Sequence, residues 1–188
     1  ELIPQHAAEF QQIFGRDTGG LVRAYRTEDA ETIVVALGSV LGTIKDTVDE
    51  MRGEGHRIGA LGIVSFRPFP LAEVRRILQH AKRVVVLEKS LAVGIGGIVA
   101  ANVRMALSGV HLHGYTVIAG LGGRPITRRS LRKLFREAEK DELQPLTFLD
   151  LDWAIVHREL ERMKQKRRSG PIAENILRDV GVVAARVG

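Results

Sequence analysis

Residues 84–105 read VVVLEKSLAVGIGGIVAANVRM. Val84-Val85-Val86-Leu87 is a short β-branched apolar run bounded by charge, the pattern of a strand buried on both faces. Glu88-Lys89-Ser90 makes a polar loop and Gly94-Ile95-Gly96-Gly97 a glycine-rich turn. Ile98, Val99, Asn102, Val103 and Ala106 then recur at helical spacing. Strand, glycine turn and helix form one half of a parallel crossover unit. Glycines at such a turn let the backbone pass close to a phosphate, another loop or another subunit.

The flanking sequence repeats this plan. Glu31–Leu37 reads as a buried strand, Gly38-Ser39 as a turn, and Leu41–Arg52 as a helix with Ile44, Val48 and Met51 inward. Gly53 and Gly55 end that helix. Arg57–Val64 is the next strand, and its glycines predict close packing against a neighbour. Ser65-Phe66-Arg67-Pro68-Phe69-Pro70 is a stiff loop, because each proline fixes its own φ and biases the residue before it. Leu71–Ala81 follows as a helix with Leu71, Val74, Ile77 and Leu78 inward. Tyr115–Ala119 is a further strand, Gly120-Leu121-Gly122-Gly123-Arg124 a second glycine-rich turn, and Thr127 the N-cap of a basic helix, Arg128–Lys140. The sum predicts an α/β fold of three layers, a mostly parallel sheet with helices on both faces.

The ends have a different character. Residues 1–24 read as an amphipathic helix broken by Gly15–Gly20, the remnant of a preceding domain and its linker, with Val22–Asp29 as connector. The α/β domain is expected over 25–140, and 141–188 as an extended and helical tail. In that tail Pro145–Leu151 is extended and Asp152–Lys166 helical. Ser169-Gly170-Pro171 then breaks the chain before a short helix over Ile172–Asp179.

Composition narrows the classes. At 188 residues, 45% apolar and 27% charged, the chain suits a soluble globular domain with one main core. No apolar run reaches the length of a membrane span and no signal-peptide order opens the chain, so no membrane partner is expected. With no cysteine, disulfides, thiolate ligation of iron–sulfur clusters and thiol catalysis are excluded, and a cytoplasmic location fits. The net charge of +6 raises nucleic acid as a partner. The basic runs at Arg124–Lys133 and Lys164–Arg168 carry few interleaved aromatics, so a base-stacking surface is not indicated and nucleic acid is not expected.

Ligands of open parallel sheets lie beyond the carboxyl ends of the strands. Four loops should gather there: Gly38-Ser39; the loop carrying Arg67; Lys89-Ser90 with Gly94, Gly96 and Gly97; and Gly122-Gly123-Arg124. Their backbone N–H groups, helix N-termini and cations suit an anion, or a polar docking face. Neither glycine turn has dinucleotide-binding spacing, and there is no P-loop. Arg67 reads either as a clamp for a carboxylate or phosphate or as a surface arginine in a rigid turn. Glu88-Lys89 reads as an acid–base pair or as a strand-end ion pair. Ser39 and Ser90 have no base beside them, and His111-x-His113 lacks a third ligand, so no catalytic residue and no metal site is assigned.

Taken in order, Asp29-Ala30-Glu31, Gly38-Ser39, Phe66-Arg67-Pro68-Phe69-Pro70, Val86-Leu87-Glu88-Lys89, the Gly94–Gly97 turn and Gly120-Leu121-Gly122-Gly123-Arg124 carry a resemblance. The set resembles the C-terminal part of the alpha subunit of pyruvate:ferredoxin oxidoreductase, a part similar to the C-terminal domain of transketolase. It runs from about Tyr25 to Glu139 and continues through Asp152-Trp153 and Gly170-Pro171. The resemblance implies coenzyme-A-dependent oxidative decarboxylation of pyruvate or another 2-oxoacid, with electrons passing to ferredoxin. Thiamine diphosphate, magnesium and iron–sulfur clusters are the family's cofactors. The chain lacks cysteine and the family's G-D-G…N thiamine motif, so none of these is expected on this chain alone. The implied partners are the beta, gamma and delta subunits or domains, with ferredoxin and coenzyme A reached through the complex. A pyrimidine-side domain would precede Glu1.

The chain is thus expected to be a non-catalytic interface domain, inactive by itself. Arg67, Lys89 and Arg124 are the candidates for the phosphates of coenzyme A. The alternatives are a related subunit acting on another 2-oxoacid, such as an indolepyruvate, branched-chain or 2-oxoglutarate enzyme, or a free-standing anion- or nucleotide-binding regulatory module. Homodimerisation through an exposed apolar surface is a further expectation.

Overall fold

The computed structural model describes residues 2–166, so the expected break at Gly170-Pro171 and the short helix after it lie outside the described residues. The described chain divides into two compact units that part between Asp150 and Leu151. The first holds α1 (Leu2–Phe14), β1 (Val22–Tyr25), β2 (Thr32–Leu37), α2 (Val40–Gly53), β3 (Ile58–Ile63), α3 (Leu71–Leu78), β4 (Arg83–Glu88), α4 (Ile98–Ala106), β5 (His113–Ile118), α5 (Arg128–Glu139) and β6 (Leu146–Phe148). The second, taken by itself, holds α6 (Trp153–Lys166), whose first turn is capped by Asp152 through the backbone N–H groups of Ala154 and Ile155.

Six strands form one sheet in the order β1-β3-β2-β4-β5-β6. All neighbours pair in parallel except β1, which runs antiparallel to β3 with Val22 opposite Ile63 and Tyr25 opposite Ala60. The expected mostly parallel sheet is therefore present, and it extends at both ends beyond the 25–140 segment. The connector expected over Val22–Asp29 is in part this edge strand. Val22 and Tyr25 are half-buried and Arg23 and Ala24 exposed, so the short run lacks the apolar signature of the strands it joins.

The strands are buried on both faces because helices cover both. On one face α2 and α5 pack Ile44, Val48, Met51, Leu131, Leu134 and Phe135 onto Val34, Val85 and Val117. On the other, α3 and α4 pack Val74, Leu78, Val99 and Val103 onto Ile33, Val35, Val84 and Val86. Each large side chain so buried contributes about 1.5–3 kcal/mol by leaving water. The inward set expected of α3 needs one correction. Val74 and Leu78 are buried, but Leu71 stands at the first turn and is 40% exposed. The expected close approaches at the β3 glycines are real: a Cβ on Gly62 would lie 2.6 Å from Leu41 Cδ1, and one on Gly59 would lie 2.5 Å from the Arg26 carbonyl oxygen.

The crossovers do not share one hand. The step from β2 to β3 and the step from β5 to β6 run in opposite directions across the sheet, yet α2 and α5 lie on the same face. Those two crossovers therefore have opposite hands. The α3 and α4 units step the other way on the other face, and so share the hand of the α2 unit. About 98% of such connections are right-handed, which makes β5–α5–β6 the left-handed one. Ion pairs hold α5 against α2: Arg128 and Arg132 on Glu50, and Arg132 and Arg136 on Glu54.

The amino edge of the sheet is closed by charge. Glu31 pairs with Arg57 and Lys82, each at 2.8 Å. Arg83 grips Asp141 through two bonds of 2.7 Å, and the Tyr115 hydroxyl donates to the same carboxylate at 2.9 Å. The Arg83 guanidinium, with a smaller contribution from Tyr115, holds the Asp141 carboxyl well below the usual carboxylate range. Asp141 sits in the left-handed region at φ 58°, where the chain leaves α5 for β6.

Candidate functional site

The sheet order places a crevice between β2 and β4. From β2 the chain goes one way to β3, then returns across to β4, and the loops beyond these two strands lead away from each other. A cleft of about 720 Å³ opens at that point. Its walls are the end of β2 with the first turn of α2 (Leu37, Gly38, Ser39, Val40, Thr43), the end of β4 (Leu87, Glu88, Lys89, Ser90), the start of α4, and the Gly123–Ile126 turn, with Phe66 on one side.

Of the residues singled out from sequence, the structure brings six to this cleft: Gly38, Ser39, Lys89, Ser90, Gly123 and Arg124. Gly94, Gly96, Gly97, Gly122 and Arg67 are not among its lining residues. The Arg67 guanidinium instead stacks 4.0 Å above the Phe66 ring and bonds the Phe66 carbonyl and Asn102 Oδ1. Lys89 is exposed and has no ion pair among the described residues. Its side chain lies over the second glycine turn, where a Cβ on Gly120 would come within 2.8 Å of Lys89 Cε. Gly120 itself stands at φ +73°, so both space and backbone favour glycine there. Arg124 is exposed, with one N–H donated to the Asp150 carbonyl at 2.9 Å. Two cations and the amino end of α2 thus border the cleft, an arrangement suited to an anion.

Glu88 is neither half of an acid–base pair nor an exposed strand-end ion pair. It is 8% exposed and is the one buried acidic or basic side chain among the described residues. Its two carboxylate oxygens each accept a 2.9 Å bond, from the backbone N–H groups of Val99 and Ala100. A residue at the end of β4 therefore caps α4, whose own N-cap position is Gly97 and offers no side chain. Buried charge is tolerated because two aligned N–H groups and the amino end of the helix face it. Gly97 leaves the room: a Cβ there would lie 2.1 Å from Glu88 Oε1 and 2.9 Å from Thr116 Cγ2. The N-terminus of α4, expected from sequence to offer donors to a ligand, is thus already filled by the protein's own carboxylate. The signals for this were a helix start without Ser, Thr, Asp or Asn, a glycine immediately before it, and a carboxylate at the preceding strand end.

Thr127 does cap α5 as expected, its hydroxyl accepting from Ser130 N at 3.1 Å. His113 lies 3.1 Å from Asp141, and no grouping of three or more His, Cys, Asp or Glu able to hold a metal ion occurs among the described residues. No helix among them is long and apolar enough to cross a membrane.

What the fold and cleft define is an open α/β domain with a cation-bordered cleft at the carboxyl edge of its sheet. The profile of the family described as pyruvate:ferredoxin oxidoreductase core domain II matches residues 30–131, and the chain belongs to that family. Among curated relatives, the pyruvate synthase subunit PorA of Methanosarcina barkeri is 39% identical over 158 residues, covering 79% of this chain and 39% of that protein. The ketoisovalerate oxidoreductase subunit VorA of Pyrococcus horikoshii is 33% identical, covering 74% of this chain and 36% of that one. The chain therefore spans well under half the length of these relatives. Among solved structures, the 2-oxoglutarate:ferredoxin oxidoreductase from Magnetococcus marinus with 2-oxoglutarate, coenzyme A and succinyl-CoA bound aligns with a TM-score of 0.47 at 17% identity, covering 72% of this chain and 23% of that chain.

Proposed function

We propose that this chain is the core-domain-II part of the alpha subunit of a coenzyme-A-dependent pyruvate:ferredoxin oxidoreductase, and that its role there is non-catalytic. The observation that carries the reading is the family match over 30–131, joined by 39% identity to a pyruvate synthase subunit. In this reading the domain packs against other subunits or domains of the assembly and borders the approach of coenzyme A. Oxidative decarboxylation of the 2-oxoacid, and electron transfer to ferredoxin, take place elsewhere in the complex.

The chain's own residues fit that division of labour. Without cysteine it supplies no thiolate to an iron–sulfur cluster. No carboxylate–histidine grouping among the described residues suits a magnesium–diphosphate centre. Thiamine diphosphate, magnesium and the clusters accordingly belong, in this reading, to the partner beta, gamma and delta subunits. What the chain offers is cationic. Lys89 and Arg124 border the cleft beside the amino end of α2, and coenzyme A is polyanionic. The side-chain hydroxyls of Ser39 and Ser90 add polar wall without a base to activate them.

The test is steady-state kinetics of the assembled enzyme with Lys89→Ala and Arg124→Ala combined. Removal of two phosphate-binding cations raises the KM for coenzyme A about tenfold or more while kcat holds, the signature of lost uniform binding. An unchanged KM removes the cleft from the reading. A substrate panel of pyruvate, 2-ketoisovalerate and 2-oxoglutarate names the oxoacid.

A further inference from the structure

The loop and helix that follow Glu88 carry an apolar surface that nothing among the described residues covers. In the loop, Ala92 and Gly96 exchange backbone bonds of 2.9 and 2.8 Å, closing a tight turn that presents Val93 and Ile95 to solvent. Val93 is 100% exposed and Ile95 66%. On α4, Ile98, Ala101 and Met105 fall at helical spacing on the side away from the sheet, and Met105 is 61% exposed. The buried face of the same helix is Val99, Ala100, Val103 and Ala106. The stripe is therefore a second apolar face, which an exposed helix does not ordinarily carry.

Charge identifies what fits it. Arg67 flanks the stripe on one side, bonded to Asn102, and Arg104 stands exposed on the other. From Lys89 to Ala106, across the loop and α4, the sequence has no Asp or Glu, and its charged residues are Lys89 and Arg104. A second copy packed across a two-fold axis would bring this cationic surface against itself. We infer that the turn at Ala92–Gly96 and the outward face of α4 form a docking surface for a different polypeptide, one that presents apolar side chains flanked by carboxylates. The inference rests on the interface part of the functional reading and not on the coenzyme A part.

Site-specific photo-cross-linking tests it. Benzoylphenylalanine replaces Met105 in the full-length chain, within the assembly purified from cells that express it, and the cross-linked peptides are sequenced by mass spectrometry. The expected product joins position 105 to a segment of another subunit in which Asp and Glu outnumber Lys and Arg, and a product within the same polypeptide overturns the inference. Arg67→Glu with Arg104→Glu lowers its yield about tenfold, and high salt lowers it in the parent. Val93→Ser, which disturbs no internal contact, lowers the yield as well. Products joining two copies at position 105, the absence of any product, or a yield indifferent to all three changes overturn the inference. So does co-sedimentation with phosphatidylserine-containing vesicles that the same substitutions abolish, since the surface would then be a membrane-binding one. An assembly that cross-links as expected but shows no coenzyme-A-dependent oxidation of a 2-oxoacid removes the functional reading and leaves this surface standing.

Discussion

The two edges of the sheet are built from the same kinds of residue and treat charge in opposite ways. At the amino edge, Glu31, Arg57, Lys82, Arg83 and Asp141 are all tied in pairs, and the Tyr115 hydroxyl is drawn in as well. At the carboxyl edge Lys89 has no ion pair among the described residues and Arg124 bonds only a backbone carbonyl. A cation held by a carboxylate is already satisfied and attracts little else, whereas one left unpaired beside a helix N-terminus attracts an anion from solution. The difference separates an edge closed by its own ion pairs from an edge whose cations stay open to solvent. Glu88 is the exception, an inward-facing carboxylate at the open edge whose partners are backbone donors.

The largest expected effect comes from breaking that exception. Glu88→Ala strands two buried N–H groups at the start of α4 and costs about 2–3 kcal/mol, read as a lower urea midpoint at constant slope. Gly97→Ala forces the carboxylate from its place and is expected to approach the same loss. A neutral Gly97→Ala would mean that the close approach of strand and helix is not held in solution. Next comes Asp141. Its folded carboxyl lies below its unfolded value, so its contribution is complete above about pH 4 and is lost as pH falls toward the folded value. Thermal unfolding of the parent followed from pH 7 to pH 2 therefore shows an acid decline that Asp141→Asn lacks in part, and the two proteins converge at the acid end. Glu31→Gln gives the smallest change, because both of its pairs are solvent-exposed, and salt of about 1 M shrinks it further. A Glu31→Gln effect as large as that of Glu88→Ala would erase the contrast between paired surface charge and buried carboxylate.

Much of the fold was legible in the sequence because it rests on local periodicity. The runs Val84–Leu87 and Ile33–Leu37 are apolar at every position, and the helix faces Ile44/Val48/Met51 and Leu131/Leu134/Phe135/Ala138 recur at helical spacing. What escaped is what tertiary contact decides. Val22–Tyr25 is a strand because β3 offers it an edge, not because Val-Arg-Ala-Tyr has a strand pattern. The cap on α4 escaped because its carboxylate is 11 and 12 residues from the donors it serves, across a glycine turn. Placing cations beyond the strand ends was a topological argument, and it brought Lys89 and Arg124 to one cleft. Arg67 lies outside the lining of that cleft, its planar guanidinium stacked on the Phe66 ring beside its own backbone. The amphipathic pattern of α5 announced that the helix has an inner face but not which side of the sheet would receive it.

That side has a bearing on how the chain can be assembled. Because α5 turns back to lie beside α2, the outer flank of Ile44, Val48 and Met51 waits for partners roughly eighty residues further along the chain, as the Arg128–Glu50 and Arg132–Glu54 pairs make plain. A nascent chain that has completed β5 still shows that apolar flank to solvent or to a chaperone. Truncation after Ile118 removes a covering layer rather than a mere appendage, and folding cannot be completed from the amino end alone.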